Sequence, residues 1–187
     1  MRNNLKKIVA EYVSALYPKN NKDKFILTYH AVNDLKNNLT SEIYQLDKEK
    51  FKNQIKYLKK NKIKFKNLDN LFDSSTGCLV TFDDGYKDIL VNAIQILIEN
   101  NIPCVIFVCP KYLKTNSNYY INVEELKELA KNPLITIGSH SFSHIPVKNC
   151  DDNELEFELN QSKKFLEEII LKKVTAISYP FGSFDHR

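Results

Sequence analysis

Cys78-Leu79-Val80-Thr81-Phe82-Asp83-Asp84-Gly85 decides the fold. Five largely apolar residues, with β-branched Val80 and Thr81 among them, form a buried strand that stops at two carboxylates and a glycine. Ile89, Leu90, Ala93, Ile94, Leu97 and Ile98 then recur at helical spacing. A strand feeding directly into a helix is half of a β-α-β unit, and the same order repeats outward in both directions. Upstream lie a strand at Phe25–His30, a helix from the capping Asp47 to residue 60, and a short strand at Ile63–Phe65. Leu46 and Phe51 are spaced as a staple around that cap, and Leu68–Phe72 reads as one helical turn. Downstream come a strand at Pro103–Val108, a helix over 122–131 and an extended run at Leu134–Gly138. That run leads into His140-Ser-Phe-Ser-His144. A helix over 152–171 follows, with Glu near its start and Lys near its end as the helix dipole favours. Val174–Tyr179 is the last strand and runs into Pro180–Asp185.

This alternation predicts an α/β fold with mainly parallel strands and right-handed crossovers. About six strands are accounted for, one or two short of a closed barrel, so a (β/α) barrel of this length is expected to be incomplete. An open, apolar sheet edge would invite self-association. Residues 1–24 stand apart. Leu5, Ile8, Val9, Tyr12, Val13, Leu16 and Tyr17 mark an amphipathic helix over 3–17, which Pro18 ends before a polar linker. Residues 25–187 form the main domain.

Composition narrows the chemistry. The chain has 187 residues, 43% hydrophobic and 27% charged, as in an ordinary globular domain. Its formal charge of +4 arises from 27 basic and 23 acidic residues, and only Arg2 and Arg187 are arginines. Lysine is a hydrated point charge, poorly suited to bidentate phosphate recognition, so nucleic acid is not an expected partner. Cys78, Cys104, Cys109 and Cys150 lack paired zinc or redox spacing and fit a reduced environment. With no apolar signal core near Met1 and no run long enough to span a bilayer, the expected location is the cytoplasm.

The polar residues that matter all follow strands, at the face where α/β folds gather their sites. His140 and His144 stand four apart, and Gly138 and Pro146 make a turn the natural setting. Alone, such a pair is more often two polar loop residues. The independent acidic motif changes the balance, because adjacent buried carboxylates repel unless a cation or shared proton offsets them. Asp84, His140 and His144 would supply three ligands and leave positions open. Successive side chains on a strand face opposite ways, so Asp84 is expected to hold the ion while Asp83 accepts a proton from water. Gly85 allows a sharp turn beside them. His30, ending the first strand, falls on the same face, where a packed histidine is as common as a functional one.

These residues resemble the polysaccharide deacetylase family, the NodB-homology carbohydrate esterases. Thr81 to Gly85 match its T-F-D-D-G motif, and His140 to His144 its H-S/T-x-x-H motif. Leu27 to Val32 with the following helix are similar to the N-terminal part of many members, so the likeness covers roughly residues 25–185. It implies a distorted β/α barrel, a divalent metal of the zinc type, and removal of N-acetyl groups from an amino-sugar glycan. By position, Asp83 resembles the family's base, and Asp84, His140 and His144 its metal ligands. Ser178-Tyr179-Pro180-Phe181-Gly182 resembles the R-P-P-Y-G motif, with Ser178 in place of arginine and Phe181 in place of tyrosine. The Phe181 backbone N–H would complete an oxyanion hole, and His30, Tyr179 and Pro180 would meet substrate. The family's later Leu-x-x-His and Asp/Arg motifs are not found, which leaves a domain lacking its last strands or a different source of the leaving-group proton. Two alternatives follow: an amidase or O-deacetylase of a small substrate, or a non-catalytic glycan- or protein-binding remnant. Tyr119, Tyr120 and Phe142 would be the sugar platform, with no tryptophan in the chain to strengthen it.

Overall fold

The computed structural model describes residues 24–33, 44–73, 75–115 and 117–187. The helix expected over 3–17 lies outside them. The chain follows the expected α/β alternation. Strand β1 (Lys24–Tyr29) is followed by a small parallel pair, β2 (Ala31–Val32) and β3 (Gln45–Leu46). Then come helix α1 (Lys48–Lys60), β4 (Phe65–Lys66) and β5 (Gly77–Phe82). Helix α2 (Gln95–Glu99), extended at its start by a π-helical turn at Leu90–Ile94, leads to β6 (Cys104–Val108). Helices α3 (Pro110–Leu113) and α4 (Val123–Lys131), strand β7 (Ile135–Ser139) and helices α5 (Asp152–Glu156) and α6 (Ser162–Ile170) complete the order.

Local chemistry accounts for the element ends. Asp47 accepts the Lys50 N–H at 3.0 Å to start α1, and Phe51, Ile55 and Leu58 form its buried stripe. Asn122 and Glu125 close a reciprocal capping box on α4, each bond 2.9 Å long, and Asp151 with Glu154 does the same for α5. Leu68–Phe72 is a run of turns rather than a helix.

The main sheet runs β1-β5-β6-β7 with every pairing parallel, and β4 joins the beginning of β5. All six residues of β5 are buried, as expected of a strand covered on both faces. Alternation sorts the two layers. Cys78, Val80, Phe82, Cys104 and Ile106 pack under the helices with Phe51, Ile55 and Leu126. Leu79, Val105 and Phe107 face the other way, with Leu71 and Ala176. Among the described residues the barrel does not close. Ile26, level with Leu79 in the register, stands on the inner face of β1 yet is 53% exposed.

Val174–Tyr179 departs from the sequence expectation. It runs beside β7 but pairs through one bridge, Ser139 with Ile177, held by two hydrogen bonds of 2.9 Å. The segment follows the edge of the sheet without forming a ladder. No described helix is long and apolar enough to cross a membrane.

Candidate metal centre

Parallel strands end at one face, and the register decides which residues meet there. Tyr29, Phe82 and Ile106 are level across β1, β5 and β6, so His30 and Asp83 emerge side by side. The Asp83 N–H donates to the Tyr29 carbonyl at 2.9 Å, and the His140 N–H to the Val108 carbonyl at 3.0 Å, each extending a ladder one step past its strand. Asp83 keeps the alternation of Leu79 and Thr81 and so belongs to the inner face. Asp84 breaks it: its φ is 69°, as is that of Gly85. Asp is among the few residues that enter this left-handed region readily.

That turn brings Asp84 to the histidines. Its Oδ1 lies 2.9 Å from Nε2 of His144 and 3.4 Å from Nε2 of His140. His140 is oriented from behind, 2.8 Å between its Nδ1 and the Ser178 carbonyl. A carbonyl can only accept, so Nδ1 carries the hydrogen and Nε2 of the neutral ring presents a lone pair to the carboxylate. Lone pair against anion is unfavourable unless a proton or a cation lies between them. Asp84 Oδ1 is moreover buried with no aligned hydrogen-bond partner.

A divalent cation fits this arrangement. One atom from each of Asp84, His140 and His144 lies within 4.8 Å of the others. One carboxylate oxygen and two imidazoles, with a backbone carbonyl fixing one ring, make a donor set suited to zinc and similar ions. Charge follows the same lines. Burial pushes the Asp84 carboxyl up, but the two imidazoles outweigh it and hold the group well below the usual carboxylate range. Burial pulls His140 down, and the Asp84 contact with the two carboxylate charges carries it back above its ordinary value.

Asp83 has a different environment. Its Oδ2 accepts the Ser178 hydroxyl at 3.0 Å, while Oδ1 is buried without a partner. Burial raises its pKa against the opposing charges of His140 and His30. Ser178 thus grips both halves of the site, the hydroxyl on Asp83 and the carbonyl on His140. The sequence marked Ser178 only as an arginine replacement, and nothing in it signalled the double contact.

Aromatic rings form one wall. Phe181, at a φ of 60°, sets its ring edge against His144 with centroids 4.9 Å apart. Tyr112 lies 5.7 Å from His144 and stacks on Tyr120 at 4.3 Å, which stacks in turn on Tyr86 at 5.2 Å. Of the platform expected from sequence, Tyr120 joins this wall. Tyr119 is exposed, and Phe142 turns away, packing on Phe157 at 4.7 Å with Lys114 over its ring. Tyr112, which completes the wall, was not foreseen. Tyr179 stacks on Phe184 at 5.6 Å, Pro180 is buried at the start of the turn that carries Phe181, and the His30 ring lies 4.5 Å from Tyr44. The four thiols are free and buried.

Residues 74–187 match the family described as Polysaccharide deacetylase. The chain is 30% identical to YxkH of Bacillus subtilis, a polysaccharide deacetylase by name, over 57% of this chain and 37% of that protein. It is 26% identical to a poly-beta-1,6-N-acetyl-D-glucosamine N-deacetylase of Staphylococcus aureus, over 86% of this chain and 59% of that one. Its fold superposes on the crystal structure of a polysaccharide deacetylase from Bacillus cereus with a TM-score of 0.76. Identity there is 26%, over 87% of this chain and 52% of the other. The chain therefore spans less than two thirds of each of these relatives.

Proposed function

The chain belongs to the polysaccharide deacetylase family, and on that footing we propose that it is a metal-dependent hydrolase removing N-acetyl groups from the amino-sugar residues of a glycan. One observation carries the reading: Asp84, His140 and His144 converge around a buried carboxylate oxygen that lacks a partner, with a second, differently held carboxylate beside them. The named activity of the Staphylococcus aureus relative supports the choice of an N-acetylated glucosamine polymer as substrate.

Asp84, His140 and His144 would hold a divalent cation, zinc by preference for this donor set, whose Lewis acidity would polarise the acetamide carbonyl and acidify a water molecule. The rest falls to the protein. Asp83 takes the proton from the attacking water through its free Oδ1, while Ser178 holds Oδ2 and fixes the carboxylate plane. The Phe181 N–H, on the turn packed against His144, donates to the oxygen that gains charge as water adds to the carbonyl carbon. His30 emerges beside Asp83 at the end of β1 and faces the substrate, and the proton held on Asp83 passes to the departing amine. The C–N bond breaks, releasing acetate and a free amino sugar. The stacked rings of Tyr112 and Tyr120, next to His144, offer the sugar an apolar wall.

Acetate release from N-acetylglucosamine oligomers, assayed with and without Zn2+, tests the assignment. Asp83→Asn is expected to retain the metal and lose turnover by about 10²–10⁴-fold. Asp84→Ala and His144→Ala are expected to lose both. An Asp83→Asn protein with full activity would remove the base from this scheme.

A further inference from the structure

The backbone between the two histidines is held in a costly shape. Ser141 and His144 have φ of 58° and 57°, in the left-handed region, which serine in particular rarely enters. Such conformations persist where surrounding structure over-determines them. Here the restraint comes largely from the chain after Asp151. Glu158 is 4% exposed, and its Oε2 accepts the N–H of Phe142 at 2.9 Å and of Ser143 at 2.8 Å. One turn on, the buried Ser162 hydroxyl donates to the Ser141 carbonyl at 3.1 Å and lies 2.7 Å from Ser139 Oγ. From the other side, the Lys111 N–H donates to the Phe142 carbonyl at 3.0 Å, and the Cys109 thiol lies 3.0 Å from the same oxygen. Two of the three peptide N–H groups between the histidine positions, those of Phe142 and Ser143, thus end on one buried carboxylate oxygen.

A carboxylate is a poor choice for that position on stability grounds alone. Glu158, Ser162, Leu166 and Ile170 form a buried row at a spacing of four. The last two are the apolar residues such a row calls for. A spacing of four overshoots an α-helical turn by roughly 40° each time, and a π-helical turn at Phe157–Gln161 sits at the Glu158 end of the row. Turns of this kind gather at functional sites.

We propose that Glu158 is a positioning residue for the metal centre: by gripping the Phe142 and Ser143 N–H groups it fixes the separation and aim of His140 and His144. Resting on the metal reading above, the inference concerns a residue that touches neither ion nor substrate. Outer contacts of this kind commonly change metal affinity by about 10–100-fold.

Co2+ titration of the purified chain, followed by calorimetry and by the visible ligand-field bands, tests it. Glu158→Asp pulls the carboxylate back by one methylene and is expected to weaken Co2+ binding at least about tenfold and to alter the bands at saturation. Glu158→Gln keeps an acceptor oxygen at full reach and is expected to bind within about threefold of the unmodified chain. Leu129→Ala, a core truncation on α4, should lower the melting temperature while leaving affinity and bands unchanged. Affinity and bands in Glu158→Asp equal to those of the unmodified chain would overturn the positioning role alone. An unmodified chain that takes up no Co2+ would overturn the metal reading, and this inference with it.

Discussion

Ser178→Ala separates the two halves of the site with one atom. The hydroxyl donates to Asp83, and the carbonyl of the same residue accepts from His140. Removing the hydroxyl leaves the carbonyl in place, with the Ser178 N–H still bonded to Ser139. A hydrogen bond to a charged group contributes about 1.5–3 kcal/mol. Asp83 Oδ1 already lacks a partner, so the substitution leaves the whole carboxylate without a hydrogen bond from any described side chain. That bond is already made in the resting site, so its loss acts by misaiming the carboxylate, and kcat should fall by up to about a hundredfold, the cost of a misplacement of about 1 Å. Burial already raises the Asp83 pKa, and the lost donor raises it further. A base that stays protonated over a wider acidic range moves the acidic limb of the rate profile to higher pH. Metal affinity should hold within about twofold. Acetate release across pH, with calorimetric Zn2+ titration on the same protein, reads both arms. Unchanged kcat would refute the role of Ser178 in holding the base, and an equal loss of metal would show that the two contacts are not separable.

Two further outcomes concern the scaffold. In Gly138→Ala the added Cβ would collide with the Phe107 ring, so overpacking should cost about 1–3 kcal/mol and lower the melting temperature by a few degrees per kcal/mol; an unchanged melt would mean that β7 is looser than its packing shows. Asp73 is held down to about 2 by the Lys66 ammonium and by Ser75. A carboxylate depressed on folding stabilises above its unfolded pKa of about 3.9 and loses that contribution as pH falls through its folded value. Asp73→Asn should therefore melt lower than the unmodified chain near neutral pH, with the gap closing toward pH 2, whereas a gap constant with pH would dismiss the pair.

The strands and the grouping of Asp84 with His140 and His144 were legible because each depends on short-range pattern. Apolar runs ending in Asp83-Asp84-Gly85 and in His140 located β5, β7 and the site face, and parallel pairing did the rest. Distant partners were not legible. Ser178 lies 95 positions from Asp83 in the chain, and only the bridge of Ile177 to Ser139 brings it there. Val174–Tyr179 carried a strand-like apolar signal, yet its backbone pairing with β7 is confined to Ser139. The long helix over 152–171 hid its π-helical turn, because residue spacing alone does not distinguish a row at four from a regular amphipathic face. Phe142 looked like a sugar platform by adjacency to the histidines. The left-handed turns at Ser141 and His144 sent its ring to the helix side instead.

The division between the two acids rests on one backbone angle. Had Asp84 kept an extended φ, alternation would have put its carboxylate on the layer of Val80 and Phe82, among the helix-facing core residues, where a charge is costly to bury. A positive φ brings it instead to the side of the two imidazoles, next to Asp83. Adjacent carboxylates gathered at one buried face would ordinarily share a proton or force one member neutral. Here the imidazoles draw one acid down while burial pushes its neighbour up. An ion-holding carboxylate must stay charged, and a proton acceptor works best with a raised pKa, so each shift suits its role. The turn at Asp84 therefore gives two chemically identical side chains, consecutive in sequence, the separate environments that the proposed hydrolysis of an amide requires.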